Sequence, residues 1–182
     1  MLLPLEIPET KPATEFVNGR LLQKVGGGRM RSRGQGALNR ALTDWAEAGG
    51  RGRVGPEWDF DLTPPGERTN RLVPDVAYLS YDRVAYEDVA AAEVPCVAPN
   101  VAVEILSAGQ TVKNSSERVR IYLACGTELV ILVEPRREYA VLIDAQGHRR
   151  VERDGVIEHP ALPGFSMPLA RAFTDPPPKQ CS

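Results

Sequence analysis

Two acidic residues lie inside apolar stretches that have the pattern of buried strands. Asp75 follows Leu72-Val73-Pro74, and Glu104 lies within residues 101–106. A carboxylate in a buried strand is costly unless it is paired, hydrogen-bonded or bound to a cation. On adjacent strands the two carboxylates could converge, and two carboxylates with a few waters are what Mg²⁺ typically receives from a protein. The alternative is an edge-facing pair, in which each carboxylate reaches solvent or an arginine.

The elements ahead of these carboxylates are a predicted hairpin and a predicted helix. Asn18-Gly19 between two apolar runs predicts a hairpin over residues 15–22 with a type I′ turn. Residues 26–36 are basic and rich in glycine, and we expect them to form a loop. An amphipathic helix that ends at Gly49-Gly50 is indicated by the apolar spacing of Leu38, Ala41, Leu42 and Trp45.

The rest of the chain predicts strands around a second helix. We expect this helix over residues 114–125, with Gly126 at its carboxyl end, and surface loop or a short helix over 81–94. Strands are predicted over residues 57–62, 72–80, 100–106, 128–134 and 139–144. This order indicates an α/β (α+β) fold with one mixed sheet. We expect a single domain over residues 1–175 and a disordered tail over 176–182.

Composition and charge limit the structural and functional classes to which the chain can belong. The 182 residues are 42% apolar and include 16 Gly and 16 Pro, which excludes a disordered or collagen-like chain and argues against a helical bundle. The net charge of −2 disfavours nucleic-acid binding through overall positive charge. Locally, residues 20–53 carry eight basic and two acidic side chains, whereas residues 54–110 carry three basic and ten acidic ones. The basic segment could therefore meet a polyanion, or it could be a solvated face.

The cysteines and histidines indicate neither a disulfide framework nor a zinc site. The three cysteines are widely spaced, and neither histidine is near any of them in the sequence. We expect no secretory signal in the first ten residues and no membrane span, because the longest strongly apolar run is only residues 129–133. A cytoplasmic location is the default expectation.

Four separated segments together resemble the Uma2 family (DUF820) of bacterial proteins. They are residues 73–78 (VPDVAY), 98–107 (APNVAVEILS), 122–127 (YLACGT) and 162–169 (LPGFSMPL). Members are described as candidate restriction endonucleases with the PD-(D/E)xK fold. The resemblance implies a restriction-endonuclease-like mixed sheet flanked by helices, with an N-terminal hairpin. It also implies that Asp75, Glu104 and the carbonyl of Ile105 hold Mg²⁺, or Mn²⁺ in its place, for hydrolysis of DNA.

The position of the lysine departs from the family pattern. In the basic nuclease motif a lysine lies two residues after the glutamate, where this chain has Leu106. In Uma2 the lysine lies on the next helix, four residues before the tyrosine, and that position is Arg118 here. Arginine keeps the charge but cannot exchange a proton as lysine can. We favour Arg118 as the catalytic cation and keep Lys113 as the substitute, which could reach Glu104 if it precedes the helix.

The sequence also suggests further site residues and binding partners. Asp59 and Asp61 could add metal ligands, although the polar face of a strand explains them better, and Glu15 is either accessory to the site or part of the hairpin. DNA phosphates could be contacted from the basic segment by Arg29, Arg31, Arg33 and Arg40. A homodimer could form through the hairpin and the basic loop. The alternative function is a catalytically impaired nuclease-fold protein that binds nucleic acid or a protein partner.

Overall fold

Over the residues that the structure describes, the fold comprises a six-stranded mixed β-sheet, a four-stranded antiparallel sheet, a two-stranded sheet and three α-helices. The computed structural model describes residues 12–24, 26–107, 110, 115–176 and 178. The helices are α1 (Arg29–Ala48), α2 (Val89–Glu93) and α3 (Ser116–Ala124), followed by a 3-10 helix (Leu169–Ala172). The strands are β1 (Thr14–Val17), β2 (Arg20–Gln23), β3 (Gly52–Pro56), β4 (Phe60–Leu62), β5 (Asn70–Leu72), β6 (Val76–Ser80), β7 (Val101–Ile105), β8 (Leu129–Glu134), β9 (Tyr139–Asp144), β10 (Gly147–Glu152), β11 (Val156–Ile157) and β12 (Met167–Pro168).

The large sheet has the strand order β10-β9-β8-β7-β6-β3. Its only parallel pair among the described strands is β7 with β8, and α3 lies in the connection between these two strands. A parallel pair needs such a crossover, whereas antiparallel neighbours can be joined by short turns. The mixed sheet flanked by helices that the sequence predicts is confirmed.

The small sheet has the order β2-β1-β5-β4 and begins with the predicted hairpin. Asn18 (φ 48°) and Gly19 (φ 83°) both have positive φ, as a type I′ turn requires. Because β1 also pairs with β5, the hairpin is fixed beside the chain segment that leads into β6. This contact determines where the residues after β2 lie.

Each face of the large sheet is covered by a different layer. Val101, Val103 and Ile105 of β7 pack on the α1 side, whereas Ala102 belongs to the core shared with α3 and the small sheet. Because side chains alternate along a strand, Glu104 is on the same face as Ala102. Glu104 therefore lies between the large sheet, α3 and the hairpin.

The prediction of a loop over residues 26–36 is wrong for residues 29–36, because α1 already begins at Arg29. Gly34 and Gly36 lie within the helix. A Cβ at Gly34 would lie 3.4 Å from Cδ1 of Ile105, so this glycine allows α1 to approach β7 closely. Packing against the sheet outweighs the low helix propensity of glycine here.

Two predicted strands also differ from the structure. The segment 72–80 is divided into β5 and β6 by residues 73–75, and in the segment 57–62 only Phe60–Leu62 is strand. Glu57 has φ 50°, which interrupts the extended conformation between β3 and β4. Among the helices that the structure describes, none has the length and apolar character needed to span a bilayer.

Candidate active site

Asp75 lies at the junction between β5 and β6, directly after Pro74. Its backbone N–H donates to the carbonyl of Val103 (2.8 Å), and its Oδ2 accepts a hydrogen bond from the N–H of Ile105 (2.7 Å). The residue is fully buried. These bonds hold the carboxylate against the carboxyl end of β7 and leave Oδ1 for other partners.

Glu104 projects from β7 toward α3 and is 6% exposed. Its Oε1 accepts a hydrogen bond from the hydroxyl of Tyr122 (3.0 Å). Burial raises the pKa of Glu104 to about 7, although the neighbouring Lys24 ammonium lowers it. The buried environment therefore favours the protonated form of this carboxyl group more than water does.

Lys24 connects the two carboxylates. Its Nζ lies 2.7 Å from Oδ1 of Asp75 and 3.5 Å from Oε2 of Glu104, and it donates to the carbonyl of Val73 at 2.5 Å. Burial lowers the pKa of Lys24, but Glu104, Asp75 and Glu15 raise it by more, so the net shift is upward. The ammonium ion stays charged although its side chain is only 8% exposed.

Lys24 is a residue of this cluster that the sequence did not predict. The nuclease and family patterns place their lysine relative to Glu104 or Tyr122, whereas Lys24 precedes Glu104 by 80 positions. The hairpin carries it to the site: its backbone N–H donates to the carbonyl of Ala13 (2.8 Å), which continues the pairing of β1 with β2. A signal was available, since Lys24 is a lone lysine just beyond the predicted hairpin.

Arg118 lines the cavity beside Asp75 and Glu104, but among the described residues its hydrogen bonds and ion pair are made with Glu15. Its Nε and Nη2 bind Oε2 of Glu15 at 2.7 and 2.5 Å. The other oxygen of Glu15 accepts a hydrogen bond from the N–H of Val73 (3.0 Å). The favoured catalytic cation is thus a partner of Glu15, while Lys113, the substitute, lies outside the described residues.

The predicted DNA-contacting arginines are divided between two faces of α1. Nη2 of Arg31 binds Oδ1 of Asp75, and Arg31 is only 9% exposed. Arg29 and Arg33 pair instead with Asp175, and Arg40 is exposed. At about 100° per residue these three arginines lie on the side of the helix opposite to Arg31.

The cluster as a whole is balanced in charge. It contains three carboxylates and three cationic side chains, namely Glu15, Asp75, Glu104, Lys24, Arg31 and Arg118. A cavity of about 20 Å³ lies beside them, which is room for about one water molecule. The carboxylates are therefore already compensated by groups of the chain itself.

The donor set fits a divalent cation in its chemistry. Oδ1 of Asp75 and Oε2 of Glu104 converge on one point, and that point attracts a cation, the ammonium of Lys24. Two carboxylates and several waters suit Mg²⁺ or Mn²⁺. Ile105 contributes its N–H to Asp75 and lines the same cavity. No larger group of His, Cys, Asp or Glu side chains suited to a metal ion occurs among the described residues.

Neither Asp59 nor Asp61, the alternative metal ligands, is among the described residues that line the cavity beside this cluster. Both oxygens of Asp61 accept hydrogen bonds from Arg71, at 2.7 and 2.6 Å. Asp61 lies on β4 and Arg71 on β5, where the two residues are directly opposed. The pair is typical of a cross-strand ion pair on the polar face of a sheet.

Comparison with known proteins supplies the family. A sequence model of the Uma2 family, described as "Putative restriction endonuclease", matches residues 2–170. The chain belongs to the Uma2 family. The crystal structure of a "putative nuclease belonging to DUF820" from Anabaena variabilis ATCC 29413 superposes with a TM-score of 0.78. It is 21% identical in sequence, and the match covers 92% of this chain and 93% of the other, so the Uma2 chain shares its fold. A search of curated proteins found no sequence relative.

Proposed function

We propose that this Uma2 protein is a metal-dependent endonuclease that hydrolyses phosphodiester bonds of DNA. The observation that carries the proposal is the convergence of Asp75 Oδ1 and Glu104 Oε2 on one cation, at 2.7 and 3.5 Å from Lys24 Nζ. Two buried carboxylates aimed at one point are costly unless a cation is held there. Membership of a family described as "Putative restriction endonuclease" supports the same chemistry.

The protein's contribution is to aim the two carboxylates. The Ile105 N–H binds Oδ2 of Asp75 and the Tyr122 hydroxyl binds Oε1 of Glu104, so the remaining oxygens face each other. We propose that these oxygens, with the carbonyl of Ile105, hold Mg²⁺ or Mn²⁺. Such an ion, when bound, activates a water and neutralises charge on the phosphate.

Lys24 supplies the cation that the nuclease motif lacks at Leu106 in this proposal. An ammonium beside the carboxylates can stabilise the extra negative charge of a phosphate in the transition state. Arg118 has a different task, because Glu15 engages both its Nε and Nη2. We assign it to holding the hairpin, and with it Lys24, against the large sheet.

DNA binding would use the arginine stripe of α1, which consists of Arg29, Arg33 and Arg40 and in which Arg29 and Arg40 are exposed. The stripe lies on the face opposite to Arg31, so these side chains would contact phosphates away from the scissile one. Contacts of this kind position a duplex without reading its sequence. Binding would therefore weaken steeply as salt concentration rises.

A plasmid-cleavage assay with Mg²⁺ or Mn²⁺ tests the proposal. Asp75→Ala and Glu104→Ala should each lower the cleavage rate by about a thousandfold, since each removes several kcal/mol of transition-state stabilisation. Asp82→Ala is the matched control, because Asp82 is exposed just beyond the other end of β6. It should cleave like the wild type.

Cleavage that survives both Asp75→Ala and Glu104→Ala would contradict the proposal. Absence of cleavage by the wild type with either ion would favour the second candidate, a nuclease-fold protein that binds nucleic acid or a protein partner. The charge balance of the cluster supports that candidate, because the carboxylates are satisfied without a metal ion. DNA affinity measured at several salt concentrations distinguishes a nucleic-acid-binding protein from a protein-binding one, because the latter would not bind DNA even at low ionic strength.

A further inference from the structure

The ammonium of Lys24 occupies the point where a divalent cation would bind. It lies 2.7 Å from Asp75 Oδ1 and 3.5 Å from Glu104 Oε2, and these are the two oxygens left free by Ile105 and Tyr122. A metal ion held by both carboxylates needs the same oxygens. Lys24 and the metal ion therefore use the same ligands.

The space beside the carboxylates is too small for both cations. The cavity there has a volume of about 20 Å³, which accommodates about one water molecule. Mg²⁺ usually keeps several waters when one or two carboxylates bind it, and a cavity with room for about one water cannot hold them. The hydrated ion fits only after the Lys24 side chain has withdrawn.

The charges in the cluster favour the same exchange. With Lys24 in place, three cationic groups offset three carboxylates. Adding a divalent ion to this neutral cluster would leave an excess of buried positive charge, which is unfavourable. Withdrawal of the Lys24 ammonium leaves one unbalanced carboxylate and so strengthens the attraction for the ion.

The position of Lys24 in the chain permits its withdrawal. Its backbone is fixed by the hydrogen bond to Ala13, but the ammonium is at the end of a flexible four-carbon chain. Beyond Lys24 the chain continues into the exposed glycines Gly26, Gly27 and Gly28. The side chain can therefore leave the carboxylates while β2 stays paired.

We propose that Lys24 is a built-in competitor of the catalytic metal ion: it neutralises Asp75 and Glu104 in the metal-free protein and is displaced when a divalent cation binds. The inference rests on the proposed function for the identity of the site. Its consequence is that the site binds metal more weakly than its carboxylates alone would. The displaced ammonium then becomes available to a DNA phosphate.

Metal affinity of a Lys24→Met variant tests the competition. Mn²⁺ binding to the full chain, measured by calorimetry without DNA, should be at least about tenfold tighter for Lys24→Met than for the wild type, because a competing positive charge is removed. Arg20→Met is the matched control, since Arg20 is an exposed cation on the same hairpin strand. It should bind Mn²⁺ with unchanged affinity. Equal or weaker binding by Lys24→Met would overturn the inference.

A second measurement uses the wild type and does not depend on how the variant folds. The chain has four lysines, at positions 11, 24, 113 and 179. An amine-acylating reagent should label Lys24 several-fold faster with Mg²⁺ than with a chelator, because the ammonium leaves a site where its side chain is only 8% exposed. Lys11 and Lys179 give the reference rate. Unchanged labelling of Lys24 at a Mg²⁺ concentration that binds the protein would also overturn the inference.

These outcomes are distinguishable from those of the cleavage assay. Tighter binding by Lys24→Met with no DNA cleavage by the wild type would support the competition and contradict the nuclease function. Cleavage that requires Asp75 and Glu104, together with equal Mn²⁺ affinities of Lys24→Met and the wild type, would support the nuclease function and contradict the competition.

Discussion

Arg118 and Arg120 lie two positions apart on α3 and have opposite surroundings. Arg118 points inward to the buried Glu15, and its side chain is 16% exposed. Arg120 points outward, is 42% exposed, and binds both Glu67 and Glu117. Two positions on a helix differ by about 200°, so one arginine belongs to the candidate site and the other to the surface.

We expect burial, rather than the number of ion-pair contacts, to determine how much each of these arginines contributes to the free energy of unfolding. Arg120 has more partners, including two short bonds to Glu67 at 2.7 and 2.8 Å. In water, however, its charge and those of its partners are screened. Glu15 has no exposed surface, so its carboxylate is compensated by Arg118 rather than by solvent.

The largest expected effect is that of Arg118→Met. We predict a loss of about 3 to 5 kcal/mol in the free energy of unfolding, because the buried carboxylate of Glu15 loses its partner. Urea unfolding of the variant checks this value. The double variant Glu15→Gln/Arg118→Met should recover much of the loss, since it leaves no unpaired charge. If Arg118→Met lowered the free energy of unfolding no more than Arg120→Met does, the expected effect of burial would be contradicted.

Glu104 gives an effect of intermediate size that depends on pH. Its folded-state pKa of about 7 lies above the ordinary value of 4.5, so between these pH values the folded protein binds more protons than the unfolded chain. This contribution to stability is present below about pH 4.5 and is lost as pH rises through 7. The loss over this whole range amounts to about 3 to 4 kcal/mol.

The Glu104→Gln variant isolates this contribution. The difference in unfolding free energy between wild type and variant should shift in favour of the variant from pH 5 to pH 8, with a chelator present. Urea titrations at four pH values in this range measure it. A difference that stays constant with pH would show that Glu104 does not titrate there.

The smallest effect is expected for Arg120→Met. The hydrogen bonds from Arg120 lower the pKa of Glu67 and of Glu117, but all three side chains are solvated. We predict an unfolding free energy close to that of the wild type, and identical values in high salt. A loss comparable to that of Arg118→Met would mean that exposure does not separate the two arginines.

The sequence predicted those elements in which the local pattern of residues matches the way the element packs in the fold. Asn18-Gly19 specifies its turn by backbone conformation alone, and β8 is an apolar run covered on both faces. The strand β3 carries no such pattern, since it reads Gly-Arg-Val-Gly-Pro. It exists because it pairs with β6, and a Cβ at Gly52 would lie 2.3 Å from the carbonyl of Leu79.

The residues of the candidate site differ in the same way: some can be recognised from their neighbours in the sequence, and others only from the packing of the fold. Asp75 and Glu104 stand out locally, because each is an acidic residue among apolar neighbours. Lys24 and the inward direction of Arg31 depend on how the hairpin and α1 pack against the large sheet. Spacing along the chain contains no information about those contacts, so the counterions could not be assigned from it.

The hairpin that carries Glu15 and Lys24 has a consequence for the order of folding. Glu15 reaches Arg118 over 103 positions and Lys24 reaches Glu104 over 80, so these contacts close very long loops. Such contacts form late, after the local elements. During synthesis the hairpin leaves the ribosome before β5, β7 and α3, and it has no docking surface until they have followed. A chain that ends before α3 therefore cannot assemble the cluster, and the proposed cleavage would require synthesis to have passed α3.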